Sequence, residues 1–207
     1  MKKFELTSEF ITNIFGTKLF RIKALIEFGN VKAGELGGFV EKEENLSQDG
    51  NAWVYDSARV YDNARVCGDA RVCGNACVCG NARVCDNACV YGNAWVYDSA
   101  RVYDNARVYG NACVCGDACV YGNACVCGDA CVYGDAGYAT VHGFGSEYRT
   151  TTFFKTKAGD IGVKCGCFYG NLSEFRKKVV ETHGETKKAK EYLMLADLME
   201  FRFSDNS

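Results

Sequence analysis

Fourteen cysteines and two histidines are the residues of this 207-residue chain that could do chemistry. The cysteines include four Cys-x-Cys pairs, at residues 77/79, 113/115, 125/127 and 165/167. In a strand the two thiols of such a pair share one face about 6.6 Å apart, which is too far for a disulfide. Three thiolates, such as Cys113, Cys115 and Cys131, could hold zinc with a fourth ligand. Cysteine alternates with tyrosine at the same repeat positions, however, so we predict apolar filling, with no metal and no cofactor.

The two histidines differ in what their surroundings predict. His183 precedes Gly184 at the end of a predicted helix, where the helix dipole favours a histidine without any catalytic role. His142, in Val-His-Gly-Phe-Gly, is therefore the candidate general base. A base would need an acceptor hydroxyl or amine within reach, and no inserted loop interrupts the preceding residues to hold one. A catalytic His142 is thus the alternative interpretation.

A six-residue repeat from residue 51 to about 136 must position these side chains. Valine recurs at every sixth residue from Val54 to Val132, and alanine lies two residues before each valine. Alternation along a strand places Ala and Val on the inner face, and it places their neighbours, which include the Tyr or Cys after each Val, on the outer face. The next two residues are Gly, Asp, Asn or Ser, which favour turns. One unit cannot bury its valine alone, so the units must stack.

The repeat resembles the hexapeptide repeat of left-handed parallel β-helices. There an aliphatic residue is followed four positions later by a small one, as Val54 is followed by Ala58. In that family three hexapeptides form one triangular coil, so the fourteen consecutive units here imply about four to five coils of an all-β solenoid. A right-handed solenoid with coils of twelve residues also fits the repeat, because twelve is a multiple of six. The sequence alone leaves this alternative open.

The flanks predict caps over the exposed ends of the solenoid. We assign residues 1–50 to an N-terminal β cap with an imperfect first coil, residues 51–136 to the β-helix and residues 137–207 to a C-terminal cap. In the first coil Val40 and Leu46 are six apart, and a two-residue insertion follows at residues 47–50.

The C-terminal cap is predicted to be a β-hairpin followed by an αα-hairpin. Strand-like stretches run over residues 149–156 and 161–168. Asn171 and Glu174 have the spacing of a capping box, which begins a helix that Gly184 ends. A second helix is predicted over residues 186–201, with an apolar face that includes Ala189, Tyr192, Leu193, Ala196 and Met199.

Outward side chains that are three repeat units, or eighteen residues, apart are predicted to stack in columns on successive coils. One column contains Arg65, Arg83, Arg101 and Cys119, beside a second of Cys67, Cys85, Tyr103 and Tyr121. Trp95 and Tyr97 lie on a different face. From Val108 to Val132 every outward side chain is Tyr or Cys, and soluble monomers rarely expose so much apolar surface. We expect the C-terminal helices, other copies of the chain or a partner to cover this end.

Charge and segment patterns exclude several classes of function. The net charge is −2 without a strongly basic segment, and Asp62 and Asp104 are expected to neutralise nearby arginines, so nucleic-acid binding is disfavoured. The first ten residues lack the apolar core of a signal peptide, and no apolar run approaches a membrane span. We therefore expect a cytoplasmic protein with free thiols, in which disulfides between neighbouring coils are disfavoured.

Two flanking stretches extend the resemblance beyond the repeat: Gly-Glu-Leu-Gly-Gly-Phe-Val-Glu-Lys-Glu-Glu-Asn-Leu at 34–46 and Gly-Cys-Phe-Tyr-Gly-Asn-Leu-Ser-Glu-Phe at 166–175. The arrangement is similar to hexapeptide-repeat proteins of phages and mobile elements. We predict a non-enzymatic protein-binding module, in its specific form a phage-encoded inhibitor of a host defence protein. Homo-oligomerisation, as a trimer, is implied by the resemblance to hexapeptide-repeat prisms. The alternative is a hexapeptide-repeat acyltransferase that uses acetyl-CoA, with His142 as base.

Arginine and aromatic side chains dominate the energetics of protein interfaces. The predicted binding surface therefore consists of Arg65, Arg83, Arg101, Tyr103, Tyr121, Trp95 and Tyr97.

Overall fold

The computed structural model describes residues 2–134, 137–144 and 149–204. Its centre is a solenoid of about five coils in which short parallel strands stack into three sheets. The strands of the repeat are β4 (Trp53–Val54), β5 (Arg59–Val60), β6 (Arg65–Val66), β7 (Arg71–Val72), β8 (Cys77–Val78), β9 (Arg83–Val84), β10 (Cys89–Val90), β11 (Trp95–Val96), β12 (Arg101–Val102), β13 (Arg107–Val108), β14 (Cys113–Cys115), β15 (Cys119–Val120), β16 (Cys125–Val126) and β17 (Cys131–Tyr133).

The register between coils confirms the triangular coil. Val54 pairs with Val72 and Val72 with Val90, so each residue lies opposite the one eighteen positions later. That spacing is three hexapeptides, which excludes the twelve-residue coil. Successive strands therefore belong to different sheets: the first sheet contains β5, β8, β11, β14 and β17, the second β4, β7, β10, β13 and β16, and the third β6, β9, β12 and β15.

The inner face is the predicted Ala and Val stack. Every repeat alanine and valine among the described residues is at most 1% exposed, and together they form one continuous core. The strands are shorter than the four residues that the pattern suggested, but the backbone ladder continues past them. Tyr55 N–H, for example, donates to Val72 C=O at 2.8 Å although it lies outside β4.

Corner residues turn the chain and also join the coils. Asp62 adopts a φ of 58°, and its carboxylate accepts a hydrogen bond from Gly80 N–H of the next coil at 3.0 Å. Asp104 does the same for Gly122 N–H. These two carboxylates accept hydrogen bonds from the backbone but keep their charge, so their neutralisation of the arginine column stays a prediction.

The N-terminal cap is an antiparallel hairpin that continues the first sheet. It comprises β1 (Phe4–Thr12) and β2 (Lys18–Ala24), followed by β3 (Leu36–Val40) and a 3-10 helix at Glu43–Asn45. Val40 pairs with Val60, and Leu46 bridges to Val66, which is twenty residues on instead of eighteen. The two-residue insertion is thus confirmed.

The C-terminal cap contains the predicted hairpin and helices within a larger sheet. Its strands are β18 (Tyr138–Phe144), β19 (Arg149–Lys155), β20 (Ile161–Cys165) and β21 (Phe168–Asn171), paired in that order. The helices are α1 (Leu172–His183) and α2 (Lys187–Phe203), and none of the described helices is long and apolar enough to cross a membrane.

Two contacts show how the C-terminal cap is ordered. The capping box is confirmed, because Glu174 N–H donates to Asn171 Oδ1 at 2.8 Å and Asn171 N–H donates to Glu174 Oε2 at 2.8 Å. Phe154 and Tyr138 join the Ala and Val stack and close its end. The helices pack on the other surface of this sheet, around Phe153.

Candidate functional site

The seven residues of the predicted binding surface lie on two different sheets. Five belong to the outer face of the third sheet: Arg65, Arg83, Arg101, Tyr103 and Tyr121. Trp95 and Tyr97 belong to the outer face of the first sheet, on and just after β11. We call the outer face of the third sheet the open face, and the outer face of the first sheet between Phe39 and Cys79 the covered face.

The covered face is buried by the N-terminal hairpin. Leu19 of β2 packs with Phe39, Tyr61, Cys77 and Cys79 in a separate apolar cluster, and all five are at most 9% exposed. The Cys77 thiol donates to the Tyr61 hydroxyl at 3.5 Å. Desolvation by burial raises the pKa of Tyr61, so this phenol stays neutral. The chain itself therefore occupies this part of its outer surface.

The neighbouring aromatic residues of the first sheet are intermediate in exposure. Tyr97 is half-buried at the edge of the covered face and accepts a hydrogen bond from the Cys113 thiol at 3.5 Å. Trp95 is 40% exposed. These two side chains point away from the third sheet's column, so the predicted surface divides into two patches.

The open face carries a column of positive charge. Arg65 pairs with Arg83, and Arg83 with Arg101, on adjacent strands in direct register, and all three are exposed. Like charges placed directly opposite on neighbouring strands repel each other. Within the described part of the chain, none of the ion pairs includes these arginines. The three arginines are therefore exposed and outside the described ion pairs.

An aromatic pair continues the open face toward the C-terminal cap. The rings of Tyr103 and Tyr121 stack with centroids 5.4 Å apart and planes 11° apart, and Tyr121 is 52% exposed. A groove of about 600 Å³ runs beside them and is bordered by Tyr138, Met199 and Arg202. Helix α2 and strand β18 thus border this end of the repeat but leave Tyr121 exposed, so the C-terminal cap covers this end only in part.

A disulfide joins Cys67 and Cys85 beside the arginine column, with their Cα atoms 4.6 Å apart. The expectation of free thiols, with disulfides between neighbouring coils disfavoured, is therefore wrong for this pair. Residues in register on adjacent strands lie at the Cα separation that a disulfide requires. The step of eighteen residues already aligned Cys67 with Cys85 in the sequence. The error was to take the spacing between neighbouring coils as unfavourable for a disulfide. Cys77, Cys79, Cys113 and Cys131 are among the cysteines that form no disulfide.

Two cavities flank the arginine column. One of about 270 Å³ is lined by Arg65, Arg83, both disulfide cysteines and the exposed Glu44, with further wall from Ser47 and Val66. The other, of about 530 Å³, shares Arg65, Arg83 and Glu44 and adds Lys42, together with Asn45, Asn63, Ala64 and Asn81. Lys42, from the imperfect first coil, is a contributor that the repeat pattern could not indicate.

The histidines lie in the C-terminal cap. His142 is exposed on β18, and its Nδ1 lies 3.3 Å from Thr150 Oγ1. His183 ends α1 and stacks on Tyr192, with ring centroids 5.8 Å apart, which agrees with a structural role. The sequence therefore placed both histidines correctly after the repeat, in a different element from the arginine column.

Comparison with known proteins supports the repeat architecture. Residues 58–74, 64–80, 82–98 and 100–116 match a family model described as the YdcK β-solenoid repeat. A curated protein named "uncharacterized acetyltransferase YdcK" from Escherichia coli (strain K12) is 40% identical over 63 residues, which cover 27% of this chain and 19% of that protein. The matched segment thus spans about a fifth of the relative's length. The chain is a repeat β-helix protein, while the resemblance to phage and mobile-element proteins stays a prediction.

Proposed function

We propose that this chain is a protein-binding module that acts through its open face. The observation that carries the proposal is the column of three exposed arginines without an ion pair in the described residues, next to the stacked pair Tyr103 and Tyr121. Arginine and tyrosine are enriched among the residues that dominate interface energetics. Strands hold these side chains on a rigid surface, so less conformational entropy is lost on binding.

The chemistry of the open face suggests the kind of segment it binds. Arginine binds a carboxylate through two parallel hydrogen bonds, and the spacing of the strands repeats this opportunity along the column. The groove beside Tyr121 and Met199 would accept an apolar or aromatic side chain. We therefore propose a partner segment that carries acidic residues next to an apolar one. In the specific form of this proposal the partner is a host defence protein and the chain its phage-encoded inhibitor, which rests on the resemblance of the flanks.

The proposal is tested by reversing charge on one face at a time. Arg83→Glu with Arg101→Glu alters the open face, whereas Arg71→Glu with Arg107→Glu alters the second sheet, where both arginines are also exposed. Tagged wild-type and variant chains would be compared for capture of the same protein from host lysate, followed by Kd measurement. We expect the open-face variant to lose about 2 kcal/mol or more, roughly 30-fold in Kd, and the control to bind normally. Equal binding by both variants would reject this face.

An acyltransferase is the second candidate, because the Escherichia coli relative carries the name of an acetyltransferase. It predicts saturable binding of acetyl-CoA by the wild-type chain. It also predicts that His142→Ala leaves this binding intact while turnover stops, since the histidine would act as the base. Absence of saturable acetyl-CoA binding in calorimetry would remove this candidate.

A further inference from the structure

The pair Cys67 and Cys85 lies beside the arginine column of the third sheet. Both cysteines are half-buried, and Arg65 and Arg83 line the same cavity. Neighbouring arginine lowers the pKa of a thiol and stabilises the thiolate, which is the attacking and leaving form in disulfide exchange. The pair is therefore placed where its reduced form would be reactive.

A second pair of cysteines shows that stacking alone does not make a disulfide. Cys113 and Cys131 lie in direct register on β14 and β17, yet both are free. The Cys113 thiol donates to the Tyr97 hydroxyl, and its neighbours in the column are Trp95 and Cys131. Burial raises the pKa of Cys131. This pair lies on a different sheet from the arginine column and serves as the internal comparison.

The charges around the disulfide favour an anionic ligand. The cavity in front of the disulfide is lined by Arg65, Arg83 and Glu44, so two cations face one anion there, and Lys42 lines the adjoining cavity. Asp69 and Asp86 keep their negative charge but are not among the residues that line this cavity, and their carboxylates accept hydrogen bonds from the backbone N–H of Asn51 and of Asp104, respectively. The lining of the cavity in front of the two sulfur atoms therefore carries one more positive than negative side chain.

We propose that Cys67–Cys85 is a thiol–disulfide exchange site for small thiols that carry carboxylate groups, of which glutathione is the test compound. The thiolate of one such molecule attacks a sulfur atom of the disulfide, forms a mixed disulfide and releases the other cysteine as a thiolate. A second molecule attacks the mixed disulfide and releases the first cysteine. Two electrons pass from two small thiols to the protein, the small thiols leave as their own disulfide, and the reverse reaction oxidises the pair. Arg65 and Arg83, which line the cavity of the disulfide, hold the carboxylates during the attack.

The test compares thiols of different charge on the purified full-length chain. Reduction by glutathione and by neutral 2-mercaptoethanol would be followed by alkylation and peptide mapping, because trypsin places Cys67 in residues 66–71 and Cys85 in residues 84–101. Arg65→Gln with Arg83→Gln removes the charge, and Arg71→Gln with Arg107→Gln is the matched control on the second sheet. The peptide with Cys67 lengthens in both variants and the peptide with Cys85 only in the first, since trypsin no longer cuts at the altered residues.

We expect the open-face charge variant to react with glutathione about tenfold more slowly, or about threefold for each charge removed, while its rate with 2-mercaptoethanol changes much less. The control variant should keep the wild-type rates, and added salt should lower the wild-type rate with glutathione. Equal slowing with both thiols, or no slowing with glutathione, would overturn the proposal. So would finding Cys67 and Cys85 unlinked in oxidised glutathione while Cys113 and Cys131 become linked. These measurements use the isolated protein, so their failure would leave the protein-binding proposal intact.

Discussion

The outer faces of the first and third sheets are built from the same six-residue unit but meet different surroundings. At one repeat position the first sheet has Cys77, which lies under the N-terminal hairpin, and the third sheet has Arg83, which is exposed. Both residues follow an alanine and precede a valine, and both side chains point outward from the core. The inner part of the repeat therefore determines the solenoid, whereas the flanking segments determine which outer surface remains available for binding.

The largest expected effect comes from placing the open-face residue on the covered face. Cys77→Arg would bury a guanidinium among Leu19, Phe39 and Tyr61 without a partner, at a cost of about 3–5 kcal/mol in the free energy of unfolding. The same change at the half-buried Cys89 of the second sheet should cost less than about 1 kcal/mol. Chemical denaturation of both variants measures the difference, and similar losses would mean that the first sheet is not covered.

A cavity under the hairpin should have the next largest effect. Leu19→Ala removes a fully buried side chain and is expected to lower the free energy of unfolding by about 2–4 kcal/mol. It should also make Cys77 and Cys79 accessible to alkylating reagents in the folded protein. Unchanged protection of these two thiols would contradict the assignment of Leu19 as their cover.

Burial of Lys3, which precedes the covering hairpin, should make the stability of the protein depend on pH. Its ammonium donates to the carbonyl groups of Asp49, Gly50 and Ala52 of the first coil, and burial lowers its pKa from 10.5 to about 8. Between these values the unfolded chain holds the proton more tightly than the folded chain, so stability rises with pH. The free energy of unfolding of wild type minus that of Lys3→Met should rise by about 1–2 kcal/mol from pH 8 to 9.5. A flat or falling difference would mean that Lys3 keeps an ordinary pKa.

The smallest effect is expected on the open face itself. Arg83→Gln removes repulsion with Arg65 and Arg101, so it should stabilise the fold by up to about 0.5 kcal/mol at low ionic strength. The gain should vanish in concentrated salt, which screens exposed charges. Denaturation at two salt concentrations measures it, and a loss of stability at low salt would show that Arg83 has a stabilising partner.

The sequence predicted those parts of the fold that depend on local periodicity. The valine spacing gave the coil and its register, and Asn171 with Glu174 gave the start of α1. Strands β18 and β21 were missed because each is interrupted by a glycine and forms only by pairing with β19 and β20. The burial of Tyr61 was missed for a related reason, since the hairpin that covers it comes from a distant part of the chain.

The sequence predicted which residues of the candidate site align in columns, but not which columns are covered or which groups their neighbours contact. Stepping by eighteen residues aligned Arg65 with Arg83 and Cys67 with Cys85, as the structure has them. Whether a column is covered, and whether corner carboxylates pair with arginine or with backbone, depends on packing between coils. Asp62 shows this, because its left-handed corner geometry directs its carboxylate to Gly80 N–H.

Native mass spectrometry of the chain, purified gently from its own host's lysate, tests the central proposal most directly. The proposal predicts a mass equal to a whole number of chains plus a second protein, and loss of that protein from the variant with Arg83→Glu and Arg101→Glu but not from the variant with Arg71→Glu and Arg107→Glu. A bare homotrimer that retains an adduct of the mass of CoA would contradict the binding module and favour the acyltransferase.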